Sequence, residues 1–227
     1  MYNSLQYTMP KFFKGLQRGG TYFFLFFCCL GFSGHMPSGK LVPGVEARLA
    51  FSNRFDKLYE DVAKELITPD SAAFAFQHLF GDIRNAYQYG SGCDHAVDSS
   101  YFVYPLKGYR PNGSVGGDGK GYRATGFNLF DMKVRGSHPA HDLFIKDRNR
   151  DDIDDVTCQP VDVLAFTHGF VLSAEADWSA DTLRRGGNYI WIYDPCLDGL
   201  FYYAHNSCIT VVPGEWVEAG QKIAQVG

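Results

Sequence analysis

The sequence predicts a mainly β fold, an antiparallel β-sheet groove or sandwich, preceded by an N-terminal helical hairpin. Three observations predict it. Between residues 45 and 88 apolar side chains recur at helical spacings. From about residue 100 the pattern changes to short runs rich in β-branched and aromatic residues, punctuated by Gly, Pro, Asn and Asp. No long helical period separates those runs, which favours antiparallel pairing over strand–helix–strand units.

Composition sets the limits. The chain has 227 residues, 45% hydrophobic and 20% charged, enough apolar material for a packed core and too much for a wholly disordered chain. Its 25 glycines follow no triplet period, which excludes collagen. No apolar run reaches the length of a membrane-spanning helix, and no solenoid or propeller repeat is visible. A formal net charge of -4 argues against nonspecific nucleic-acid binding.

Residues 1–33 carry Lys11, Lys14 and Arg18 and no acidic residue. The short apolar run Thr21-Tyr-Phe-Phe-Leu-Phe-Phe-Cys-Cys-Leu-Gly-Phe32 follows, with Gly31 and Ser33 as a small-residue cleavage pair. This reads as a secretory signal peptide, with an uncut N-terminal membrane anchor as the alternative. The bulky Phe26 and Phe27 before Cys28 argue against a lipoprotein site. Without this segment the net charge falls to about -7, and four cysteines remain: Cys93, Cys158, Cys196 and Cys208. In an exported protein they permit two disulfides in three pairings. Cys196 and Cys208 flank one hairpin-like stretch and are the first pair to expect, with free thiols as the alternative.

Residues 34–44 read as a Gly/Pro/Ser-rich linker and 45–99 as a helical segment. Its first helix runs from Val45 to Leu66, stopped by Pro69. Thr68 or Asp70 would cap the second, Ser71 to Tyr87, which ends at Tyr89-Gly-Ser-Gly92. Residues 100–227 hold the β domain. Strands are expected at 102–104, 127–134, 142–145, 161–166, 169–174, 189–193, 200–204 and 209–212, with a glycine-rich loop over 111–121.

The chemistry-bearing residues are few. Among seven histidines, the densest cluster is Gly136-Ser-His-Pro-Ala-His-Asp142. His138 and Asp142 are both good zinc ligands. Extended chain would hold them roughly 13 Å apart, so they converge only if Pro139 and Ala140 bend the backbone. His205 ends the aromatic strand Leu200 to Ala204, and His168 reads as a turn residue. Asp147 to Asp155 opens like a calcium loop, but Asp152 stands where Gly is needed and Cys158 where Glu is needed, so it reads as an exposed acidic loop. No C-x-x-C spacing supports a thiolate zinc site.

Order adds meaning. His138-Pro-Ala-His-Asp142 is followed by Ala165-Phe-Thr-His-Gly-Phe-Val171, Gly187-Asn-Tyr-Ile, Tyr203-Ala-His205 and the glycine-spaced tail Val212 to Gly227. This series resembles the lysostaphin-like, LytM-type zinc metallopeptidases, which cut peptide bonds of bacterial peptidoglycan. The resemblance covers residues 136–227 and not 34–100. It implies a sheet of the duplicated hybrid motif type, zinc as cofactor, His138 and Asp142 as its first two ligands, and His205 as a catalytic histidine. It also implies peptidoglycan peptide as substrate and an exported location, and leaves the oligomeric state open. The family completes its site with H-x-H after the Val-Gly at which this sequence stops, so the expectation is a fragment of a longer enzyme, inactive as it stands because that motif is missing. Tyr203, two residues before His205 and so on the same strand face, could line the groove, though packing is the favoured role. Two rivals remain. One is a non-enzymatic scaffold that activates wall hydrolases. The other is a biotinyl- or lipoyl-type carrier, disfavoured because Lys222 is not placed at a hairpin tip.

Overall fold

In the computed structural model the described residues are 43–88, 99–116, 122–123, 125–134, 137–182, 184 and 186–227. The expected signal segment, most of the linker, the glycine turn after Tyr89, and Cys93 lie outside them. Among the described residues no helix is long and apolar enough to cross a membrane.

Helix α1 spans Val45–Ala63 and α2 spans Pro69–Gln88. Their junction differs from the sequence expectation. α1 ends because Glu65 turns left-handed, at φ 54, and the Leu66 amide reaches back 2.8 Å to the Asp61 carbonyl. Pro69 does not stop that helix; it opens the next, where its missing amide costs nothing. Thr68 is the cap, its Oγ1 accepting from the Ser71 amide at 3.3 Å.

The described strands are β1 Ile153–Asp154, β2 Gln159–Pro160, β3 Asp162–Leu164, β4 Gly169–Glu175, β5 Asn188–Asp194, β6 Gly199–Asn206, β7 Trp216–Val217 and β8 Lys222–Gln225. Every ladder among them is antiparallel. They form open sheets: a four-stranded one ordered β6-β5-β4-β7, and the ribbons β3-β8 and β1-β2. The helical hairpin precedes this β region, as the sequence predicts.

Alternation along β4, β5 and β6 feeds two cores. Phe170, Trp191, Tyr193 and Leu200 pack under the helices with Phe55, Phe76 and Ile83. Val171, Ile192, Phe201 and Tyr203 pack on the other side with Val163 and Ile223 of the β3-β8 ribbon. β5 is thus buried on both faces. Phe55 joins the layers, edge-on to Phe76 at 5.5 Å and to Trp191 at 5.9 Å, and Trp191 stacks on Tyr202 at 4.2 Å. Polar ties fix the hairpin further. Arg48 Nε donates to the Gly214 carbonyl at 2.7 Å, and Ser52 Oγ to the Val171 carbonyl at 3.1 Å.

Several expected strands are absent. Residues 127–134 form turns, because Phe127, Leu129, Phe130 and Met132 pack sideways onto the helix-side core and not into a ladder. Residues 102–104 and 209–212 are not strands, though the amides of Val103 and Thr210 donate to the Phe166 and Ile223 carbonyls, and only Leu143 of 142–145 makes a bridge, to Val115. Part of the expected 111–121 loop is a helical turn, Pro111–Ser114, whose Ser114 hydroxyl is 2.6 Å from that of Tyr104.

The expected Cys196–Cys208 pairing is not present. Cys196 is disulfide-bonded, whereas Cys208 and Cys158 are free and exposed. The partner of Cys196 therefore lies outside the described residues. In the turn between β5 and β6 the Cys196 amide donates at 2.8 Å to buried Asp194, which also accepts from the Tyr101 hydroxyl at 2.9 Å.

Candidate functional site

The bend that would bring His138 to Asp142 is formed, and its anchors can be named. His138 is fixed on one side by a two-bond bridge to Arg123, 2.7 Å in each direction. On the other side the Leu143 bridge to Val115 and the Phe144 amide, 2.7 Å from the Ser114 carbonyl, hold the chain after Asp142. Between them Ala140 is fully buried, so the backbone must turn inward at that point. His138 Nε2 consequently lies 3.2 Å from Asp142 Oδ1, with 27% and 39% of the two side chains exposed. An imidazole nitrogen and a carboxylate oxygen converging at a partly open surface suit a zinc ion. Among the described residues no third His, Cys, Asp or Glu joins them as a metal-holding group, whereas a catalytic zinc site draws three ligands from protein.

His141 takes another direction. Its ring stacks on Tyr122 at 5.1 Å between centroids, and burial pushes the imidazole below its ordinary value, against the opposing pull of Asp142.

His205 is placed by a β-bulge. In the β5-β6 ladder Ile190 faces Tyr203 and Asn188 faces Asn206, so Ala204 and His205 together oppose Tyr189. His205 has φ 56, a left-handed value uncommon for a residue with a side chain. Its amide donates to the Gly186 carbonyl at 2.7 Å, and its carbonyl accepts from the Gly227 amide at 3.0 Å. Asn206 secures the turn from inside, its Nδ2 donating to the Tyr203 and Asn188 carbonyls, both at 3.1 Å. The bulge breaks the parity on which the sequence reading of Tyr203 relied. Tyr203 is buried and its hydroxyl accepts from the Phe166 amide at 2.9 Å, whereas His205 is exposed. Tyr203 is therefore a packing residue and does not share the face of His205.

Two glycines make this geometry possible, and the sequence reading had passed over the first. Gly186 and Gly187 have φ 104 and 66. A Cβ on Gly186 would run into the Tyr202 hydroxyl, and one on Gly187 would sit 3.5 Å from His205 Nδ1. The adjacent Gly-Gly before a strand was the signal that could have marked them. His168, by contrast, pairs its Nδ1 with Glu218 at 2.6 Å beside β7, away from the His138–Asp142 donor set.

The acidic loop satisfies itself. Asp147 accepts from the amides of Arg150 at 2.6 Å and Asp152 at 3.0 Å. Asp154 accepts from the Tyr109 hydroxyl and from the amides of Thr157 at 2.7 Å and Val156 at 3.0 Å, which pull its pKa down to about 2.

No protein-family model matches the chain, and no curated protein or solved structure matches it significantly.

Proposed function

We propose that the chain belongs to an exported zinc metalloendopeptidase that hydrolyses peptide bonds of peptidoglycan. The observation that carries this reading is the convergence of His138 and Asp142 at 3.2 Å, the two residues that the motif series assigns to the metal. In the proposed site they hold zinc, with a third ligand from outside the described residues. Zinc bound there would lower the pKa of a coordinated water toward neutrality and polarise the scissile carbonyl. His205 stands as the proton-accepting group: the bulge presents its imidazole to solvent, where a neutral ring nitrogen can take a proton from water or steady the charge developing on the carbonyl. The fold would be of the duplicated hybrid motif type, its sheet carrying the substrate groove.

The test is to read the coding sequence beyond Gly227 and to assay the complete protein on purified peptidoglycan. An H-x-H within the next few dozen codons, with zinc-dependent release of new amino groups, supports the reading. Absence of such a motif, or a zinc-loaded protein that releases none, overturns it and leaves the non-enzymatic scaffold in its place.

A further inference from the structure

The left-handed turn at His205 is unfavourable for a residue with a Cβ, and persists only where the surroundings over-determine it. Its amide is held by the Gly186 carbonyl, on the loop between β4 and β5. A glycine pair is a poor anchor by itself, because glycine loses most conformational freedom on ordering. Something else must hold that loop, and the polar contacts around Arg184, two positions before Gly186, do so. Arg184 Nη1 donates to the Tyr189 hydroxyl at 2.7 Å, and its guanidinium lies over the Tyr59 ring of α1, 5.4 Å from the centroid. Glu175, at the end of β4, is 3.8 Å away. The same loop is closed on itself, since Trp178 Nε1 donates to the Arg184 carbonyl at 2.8 Å and the Trp178 amide to Asn188 Oδ1 at 3.0 Å. Asp56 of α1 accepts from Ser173 on β4; burial raises its pKa, opposed by the Ser173 hydrogen bond and then by the Arg184 charge.

We propose that Arg184 is a positioning residue: by tying the β4-β5 loop to Tyr59 of α1 and Tyr189 of β5, it fixes the Gly186 carbonyl that holds His205 in its bulge. The helical hairpin thereby serves the site through α1, from the far side of the sheet. The link to catalysis rests on the reading of His205 given above; the link from Arg184 to the His205 backbone does not. A planar guanidinium suits the task, because it lies flat on a ring while donating in its own plane.

Site-resolved amide hydrogen exchange by NMR on the 227-residue chain tests the proposal without reference to peptidase activity. Arg184→Met should lower protection of the His205 amide by about tenfold while Ile192 and Phe201, in the middle of β5 and β6, keep theirs. The His205 ring carbon resonances should shift in the same variant. Arg184→Lys, which keeps a cation near Tyr59 but not the planar donor, should fall between. If Arg184→Met does not fold, Tyr189→Phe removes only the hydroxyl acceptor and should give a smaller loss confined to His205. Unchanged His205 protection, or an equal loss at all three amides, overturns the proposal. Failure of peptidoglycan hydrolysis would instead strike at the peptidase reading and leave this result standing.

Discussion

His138 Nε2 and Asp142 Oδ1 lie 3.2 Å apart because buried Ala140 pulls the chain inward between them. The pairing is thus a consequence of packing, and it should fail when the packing fails. Ala140→Leu would force extra methyl groups into a full site, at a cost of about 1–3 kcal/mol, and splay the pair. Zinc affinity should drop together with the denaturation midpoint. A variant that lost stability but bound zinc as before would show that the bend does not set the site.

Gly186→Ala should cost about 1–3 kcal/mol, since the new Cβ meets Tyr202 at a backbone conformation that L-residues avoid. Urea unfolding checks this directly. An alanine variant as stable as the parent would mean that the loop relaxes freely, and the His205 bulge would then lack its template.

Much of the scaffold was legible and much of the site was not. The two helices follow from apolar spacing, and β4, β5 and β6 from dense aromatic and β-branched runs, because both patterns report burial directly. Residues 127–134 misled for the same reason: their apolar side chains are partly buried, but against the helix-side core and not in a ladder. β7 and β8 are short and partly polar and so leave a weak signal. The convergence of His138 and Asp142 was conditional on a bend that composition permits but does not require. The bulge at His205 was invisible, since it arises from ladder register and from glycines in a different loop.

Acid stability should carry the mark of Asp154. Its folded pKa, about 2, is below the ordinary carboxylate value of 3.8, through the Tyr109 hydroxyl first and the Thr157 amide second. A depressed carboxylate contributes stability above its unfolded pKa and loses it as pH falls through the folded one. The contribution should therefore be complete above about pH 4 and fade toward pH 2. Tyr109→Phe should shrink that acid-side loss. Equal pH dependence of unfolding in the two proteins, measured between those limits, would remove Asp154 as its source.

Thiol labelling of the native, unreduced chain should modify Cys158 and Cys208 and spare Cys196. Cys196 should become reactive only after reduction, as peptide mass spectrometry would record. Protection of Cys208 alongside Cys196 would instead restore the pairing that sequence proximity suggests.

Zinc titration of the purified chain by calorimetry, beside His138→Ala and Asp142→Ala, tests the metal centre most directly. With two protein ligands among the described residues, the parent should bind one zinc weakly. Changes behind a ligand already cost about 10–100-fold in affinity, so removing either ligand should cost at least about tenfold. A parent that binds no zinc, or variants that bind it as well as the parent does, would contradict the assignment of His138 and Asp142 as a metal site.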